Sequence, residues 1–242
     1  MVQAGDFALD RVLASAFAGS GEFRPTAALR ELLQRWGDVY DGEVVSLPLA
    51  PDVPPDVVSV LLPNQDGSLR IELSRARANA VWLRNDGAED SIETIFSQFA
   101  QRLATIAETQ KVNVGRLGAV VTRGCSLGDP GRAIATQFCR DVWLHGPLNR
   151  PEGFELHAHK TFDLLEQLRV NSWVRIRTAK STPALDHHDS VILEQDINTL
   201  TQEIANRRLS REDSIRFFQS AAHQSEVILN LYFPSPQESV DA

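Results

Sequence analysis

The residues of this chain that could bind a metal are its histidines, and one pair has a spacing that suits metal ligands. His157 and His159 are two positions apart, and Glu155 lies two positions before them. In a β-strand alternate side chains share a face, so both imidazoles and the carboxylate would point the same way. These groups are suitable ligands for zinc. The polar outer face of a sheet explains the same alternation, and the chain has no CxxC or HExxH motif, so we predict no metal and no other cofactor.

A second pair of histidines lies in the sequence Asp186-His187-His188-Asp189. These four residues resemble the terminal motif of the DHH phosphoesterases, whose two-metal site needs further aspartate motifs that are missing upstream. A polar loop between two strands is the simpler interpretation. The alternative hypothesis is a metal-dependent hydrolase or nuclease, in which this loop folds back towards His157 and His159.

Other signs of catalysis are weak. The chain has no GxxxxGK[ST] phosphate loop and no GxGxxG after a predicted strand. The glycine pairs at Gly115–Gly118 and Gly124–Gly128 lack the spacing of a phosphate cradle, and bulges or turns explain them. Cys125 lies near Arg123, which could lower the pKa of a thiol, but no histidine partner is identifiable. We therefore predict a buried, inert cysteine.

A basic stripe is the strongest pattern for nucleic-acid binding. Arg169, Trp173, Arg175 and Arg177 lie on one face of a predicted strand, with Lys180 beyond it, and an aromatic among cations can bind single-stranded nucleic acid. Glu194 and Asp196 alternate in the next strand, so we predict that they lie opposite the last two arginines and neutralise them. The formal net charge of −8 also argues against a general nucleic-acid or membrane binder. An RNA-binding module is therefore the least favoured function.

Periodicity predicts the elements that position these groups. Alternation predicts strands at 57–62, 69–74, 79–84, 112–122, 154–162, 170–178 and 190–199, and an extended segment at 141–148. Amphipathic patterns predict helices at 25–36, 91–108, 131–139 and 211–232, whereas 12–17 fits a strand or a helix. Asp90 and Glu93 have the spacing of a capping box, as do Ser210 and Asp213, and Leu33 is predicted to point inward. The order of elements predicts an α+β fold, with largely antiparallel sheets packed against a few amphipathic helices.

The length favours a single unit over 1–242, with two packed subdomains, 1–150 and 151–234, as the alternative and a frayed tail at 235–242. Two cysteines are too few for a disulfide framework. No segment is apolar enough to span a membrane, and the N-terminus lacks the pattern of a signal peptide. We therefore predict a cytoplasmic protein.

Several stretches resemble a sporadically distributed prokaryotic family of uncharacterised proteins. They are Leu33–Trp36 at the end of the first helix, Ala80–Arg84 in a strand, Leu193–Thr199, and Ser210–Phe233. That family typically ends with an acidic D-I-D strand and a helix that carries a histidine midway. Here Asp196-Ile197-Asn198 and His223 take those places, with Asn198 departing from the second acid. The resemblance implies a fold and a patchy bacterial distribution, and it implies no reaction.

These observations favour a non-enzymatic protein that acts through protein contacts, with another protein or as a homo-oligomer. An accessory subunit in a bacterial mobile-element or defence-type gene cluster would fit the patchy distribution of the family. Trp173 and Val227 are apolar where the patterns expect polar residues, which makes both candidate contact residues. The other candidates are Arg175, Arg177 and His223.

Overall fold

The computed structural model describes residues 1–48, 50, 52–85, 90–146, 149, 151–166, 168–179 and 189–235. The strands are β1 (Ala8–Ser20), β2 (Val45–Ser46), β3 (Val60–Pro63), β4 (Leu69–Leu73), β5 (Arg77–Leu83), β6 (Asn113–Ser126), β7 (Glu155–Leu165), β8 (Leu168–Ala179) and β9 (Ser190–Thr199). The helices are α1 (Pro25–Trp36), α2 (Ile92–Gln110), α3 (Pro130–Phe138) and α4 (Arg211–Tyr232). The predicted α+β class is confirmed.

All nine strands belong to one sheet with the order β2-β3-β4-β5-β1-β6-β9-β8-β7. Every neighbouring pair is antiparallel, as the predicted fold class requires. The ambiguous segment 12–17 is part of β1, which lies between β5 and β6. The division into subdomains stays a prediction, and residues 236–242 of the predicted tail lie outside the described part.

The hydrophobic core lies between one face of the sheet and the helices. In the central strands this face carries small buried residues such as Ala14 and Ala80, so a helix can approach the sheet closely. Helix α2 lies against β1 and β5 and also packs on α4. Phe96 of α2 and Phe218 of α4 stack with ring centroids 5.7 Å apart, and both side chains are fully buried. The aromatic pair joins the two longest helices over the centre of the sheet.

The N-terminus of α2 differs from the prediction by one residue. Ser91 is the N-cap, and its hydroxyl accepts a hydrogen bond from the backbone N–H of Thr94. The predicted cap at Asp90 is therefore wrong. The predicted box at the start of α4 is confirmed, because Ser210 and Asp213 bond to each other's backbone N–H groups.

Three further details depart from the sequence pattern. Asp141–Leu144 is a 3-10 turn and not an extended segment, and residues 147 and 148 lie outside the described part. Leu33 is 41% exposed, whereas its neighbour Leu32 is buried, so Leu33 points outward. The register of β6 against β1 shifts at Gly115 but stays regular at Gly118, so only the first glycine marks the predicted bulge.

Candidate binding surface on the open face of the sheet

In the described part of the chain no helix covers the second face of the sheet, which we call the open face, although Ser15, Asn79 and Val81 in its central strands are buried. Along β9, Leu193 and Ile197 face the helices and are buried, whereas the alternate residues Glu194 and Asp196 are only half-buried. The same alternation holds along β8, and in β7 the residues of the second face are largely exposed. Because neighbouring strands are in register, side chains on this open face line up in rows that cross the strands.

One row forms what we call the cationic cluster: Arg77, Phe17 and Arg116. Phe17 of β1 is paired with Arg77 of β5 on one side and with Arg116 of β6 on the other. The guanidinium carbon of Arg116 lies 4.5 Å from the centre of the Phe17 ring, and that of Arg77 lies 6.0 Å from it. These are cation–π distances.

The two guanidinium groups of the cationic cluster form no ion pair within the part of the chain that the structure describes. Among the described residues, no carboxylate forms an ion pair with Arg77 or Arg116, and the Nε atom of each is buried without an acceptor. Burial lowers the pKa of Arg116; the charge of Asp196 opposes this effect, and the charge of Arg77 adds to it. In the described part of the chain the cluster therefore carries two positive charges without an ion pair, and Asp196 acts on Arg116 through its charge alone.

The adjacent row is made of small polar residues. Ser15 donates to Asn79 at 2.9 Å, and Asn79 donates to Glu72 at 3.1 Å. Gly118 follows in the row, and a Cβ atom there would lie 2.5 Å from the Asn198 side-chain oxygen. Gly118 therefore leaves room for the Asn198 amide on the open face, which explains why glycine suits this regular strand position.

Asp196 lies on the open face in β9, opposite Trp173 of β8. Burial raises the pKa of Asp196, while a hydrogen bond from Asn198 and the charge of Arg175 oppose that shift. The Trp173 ring stacks on His159 with centroids 4.3 Å apart, and the Arg175 guanidinium carbon lies 5.6 Å from it. Trp173 is half-buried between these two neighbours, so its predicted exposure is only partial.

The predicted pairing of the basic stripe is confirmed for one arginine and wrong for the other. Arg175 lies directly opposite Glu194 and forms an ion pair with it. Arg177 lies opposite Ile192 on one side and Glu155 on the other. In this register only Arg175 has the carboxylate partner that the sequence predicted.

The histidines of β7 share the open face with Glu155, as the alternation predicted. His157 lies 3.8 Å from the Glu155 carboxylate, whereas His159 is held against Trp173 with its Nε2 atom 3.3 Å from Asn171. In the described part of the chain, no three side chains of histidine, cysteine, aspartate or glutamate are placed to hold a metal ion. Asp186, His187 and His188 lie outside the described residues, while Asp189 lies inside them, its carbonyl accepting from the Leu127 N–H.

The remaining interaction candidates lie on the other side of the molecule. His223 and Val227 are exposed on the outer side of α4, and Val227 is 44% exposed. Leu231, one turn further along, is 74% exposed. The structure therefore separates the predicted candidates into two surfaces, with Trp173, Arg175 and Arg177 on the open face and His223 with Val227 on the helical side.

The end of β6 carries a signal that the sequence analysis missed. Gly124–Gly128 has the GxSxG spacing that places a nucleophilic serine on a strained turn in α/β-hydrolases. Here Ser126 is still paired with Ser190 in the ladder, and among the described non-glycine residues only Lys111 has a positive φ. The neighbouring Cys125 is buried, and burial raises the pKa of its thiol, which favours the predicted inert role. The strand geometry therefore does not support a nucleophile at either residue.

No protein-family model matches this chain, and no curated protein matches its sequence. The resemblance to a sporadic prokaryotic family thus stays a prediction. None of the helices in the described residues is long and apolar enough to cross a membrane.

Proposed function

We propose that this chain is a non-enzymatic binding protein that contacts another protein through the open face of its sheet. The observation that carries the proposal is the composition of that face, where half-buried Trp173 and Arg175 lie among polar side chains and no helix of the described residues covers them. Tryptophan and arginine are the residue types that most often dominate binding energy in protein interfaces.

The open face is large enough for such a contact. Nine strands at about 4.8 Å spacing extend roughly 38 Å across the sheet. A standard interface buries about 800 Å² on each partner, which only part of this face would supply. The ladder hydrogen bonds of the strands fix the backbone beneath these side chains, so binding would require little backbone ordering.

The alternative functions receive less support from the same surface. A metal-dependent hydrolase needs converging ligands, and His159 is engaged by Trp173 and Asn171. An RNA-binding module needs a continuous basic track, and Glu194, Asp196 and Glu72 interrupt it. An accessory role beside the product of a neighbouring gene, in a mobile-element or defence-type cluster, is part of the proposal and depends on the family resemblance.

The test is capture of a partner from the native host with the tagged protein, followed by affinity measurement on the purified pair. Light scattering of the isolated protein distinguishes a homo-oligomer. We expect Trp173→Ala to weaken binding by about tenfold or more, as for a central interface residue. Trp143→Ala is the matched control, because Trp143 is 59% exposed in a turn away from the sheet.

Loss of binding with Trp143→Ala but not with Trp173→Ala would place the contact elsewhere and contradict the proposal. If only Val227→Glu abolishes binding, the contact surface lies on the outer side of α4 and not on the open face. A strict monomer that captures nothing and hydrolyses a nucleotide or phosphodiester would reject a binding function altogether.

A further inference from the structure

Resting on the proposed binding function, we infer that the cationic cluster is the site where the open face receives an acidic segment of its protein partner. The segment would place one or two aspartate or glutamate carboxylates against Arg77 and Arg116, beside the Phe17 ring. Paired hydrogen bonds from a guanidinium to a carboxylate are among the strongest polar contacts in protein interfaces.

The charge distribution on the open face favours this position, because two arginines without an ion pair among the described residues lie against one aromatic ring here. Arg70 is already paired with Glu72 at 2.8 Å, and Arg175 is paired with Glu194. Arg77 and Arg116 have no such partner among the described residues, although the whole chain has a formal net charge of −8. Acids are therefore abundant in the chain, but among the described residues none forms an ion pair with this cluster, and we infer that a partner supplies one.

The cluster is arranged in advance for an anion. Arg77 belongs to β5 and Arg116 to β6, the two strands that pair with β1. The Phe17 ring of β1 lies against both guanidinium groups. Their like charges repel each other, which contributes to the lowered pKa of Arg116. A bound carboxylate would relieve that repulsion, and little side-chain entropy would be lost.

The size of the cluster favours a short acidic peptide segment over a nucleic acid. Arg77 and Arg116 are two strands apart, which separates their backbones by about 10 Å at the usual strand spacing. Two carboxylates of one extended segment can reach both arginines across that distance. A phosphate backbone would need a longer basic track, and the carboxylates of Glu72 and Asp196 interrupt the neighbouring rows of the open face.

The experiment measures binding of fluorescein-labelled peptides to the full-length protein by fluorescence anisotropy at low and physiological salt. The probes are a ten-residue peptide of alternating glutamate and serine, the same peptide with glutamine for glutamate, and a ten-nucleotide oligo-dT. We expect binding of the glutamate peptide only, weakened at higher salt. Arg77→Gln and Arg116→Gln should each reduce its affinity by about tenfold, the effect of losing one charged hydrogen bond.

Arg70→Gln is the matched control, since Arg70 lies on the same face with Glu72 as its partner, and this variant should bind the peptide within about twofold of the parent. If Arg116→Gln does not fold, Arg77→Gln and Arg116→Lys serve instead; the lysine keeps the charge but loses the two-pronged contact. Equal losses in all three glutamine variants, tighter binding of oligo-dT, or no binding of the glutamate peptide would each overturn the inference. The peptide assay needs no captured partner. If Trp173→Ala abolishes partner capture while both cluster variants retain it, the inference fails and the proposed function stands.

Discussion

The charged side chains of the open face differ in how far neighbouring groups of opposite charge neutralise them. Arg175 has a direct carboxylate partner, Arg116 has none among the described residues, and Asp196 lies between these extremes. Asp196 accepts from Asn198 and feels the charges of two arginines, yet burial still raises its pKa. Ionising this carboxylate therefore costs more free energy in the folded protein than in the unfolded chain.

That cost gives a pH-dependent prediction for Asp196→Asn. Because the pKa of Asp196 is higher in the folded than in the unfolded chain, its ionised form destabilises the fold at neutral pH. The cost falls as the pH decreases through the folded pKa and is gone below the unfolded value of about 4. The variant should therefore unfold at a higher temperature than the parent at pH 7, with a smaller difference at pH 3.

Thermal unfolding followed by circular dichroism at several pH values measures this effect. Asp163→Asn is the control, because Asp163 is an exposed carboxylate on the same face of β7, and it should leave the melting temperature unchanged. A lower melting temperature for Asp196→Asn at pH 7 would mean that attraction to Arg116 and Arg175 outweighs the burial of Asp196.

Among the secondary-structure elements, α2 shows that a shift of one residue in the helix start changes which side chain caps it. The sequence offers Asp90 with Glu93, and one position later Ser91 with Thr94. The helix begins at Ile92, so the Ser91 hydroxyl is the group that reaches the Thr94 N–H. Ile92 and Ile95 are then placed on the buried side, which links the position of the cap to the packing of the helix.

We expect Ser91→Ala to lower the free energy of unfolding by about 1 kcal/mol, the usual loss of a helix cap. Asp90→Ala should change it by less than about 0.5 kcal/mol, as for an ordinary surface residue. Ser210→Ala, which removes the confirmed cap of α4, provides a positive comparison of similar size. Urea unfolding of the three variants measures the differences, and a larger loss for Asp90→Ala than for Ser91→Ala would restore the cap that the sequence predicted.

At the scale of the whole molecule, a buried polar link connects α4 to the centre of the sheet. Arg123 of β6 is buried and donates to Gln195 of β9 at 2.6 Å and to Glu226 of α4. Gln195 in turn donates to the Ser225 carbonyl at 2.7 Å. Burial lowers the pKa of Arg123 and the Glu226 charge opposes this shift, so the ion pair stabilises the charged guanidinium between sheet and helix.

Removing one member of this pair should cost more than removing both. Glu226→Ala leaves the buried Arg123 charge without its carboxylate, and we expect a loss of about 2 kcal/mol; solvent reaches Glu226 and keeps the loss below that of a fully buried pair. The double variant Arg123→Met with Glu226→Ala should recover part of that loss, because no unpaired charge remains. Urea unfolding of the single and double variants measures the coupling. If the losses in free energy of unfolding of the single variants simply add in the double variant, Arg123 and Glu226 do not stabilise each other.

The elements of this fold were predictable because each depends on a pattern that is local in the chain. The strict alternation at 190–199 predicts a strand with one buried face, and β9 has that form. The segment 12–17 was ambiguous because β1 is the central strand, covered by the core on one face and half-buried on the other, so its polar alternation is weak. Asp141–Leu144 was mistaken for extended backbone because a short apolar run fits either form.

The residues of the candidate site differ in the same way, because some share one strand and others meet only through strand pairing. Alternation along one strand was sufficient to place Trp173, Arg175 and Arg177 on a common face. Phe17, Arg77 and Arg116 are distant in the chain, and only the pairing of β1 with both β5 and β6 puts them in one row. The sequence by itself therefore determined which side chains share a strand face, because that follows from the two-residue period of the backbone. The tertiary structure alone decided which faces meet, because strand order and register depend on contacts between residues far apart in the chain.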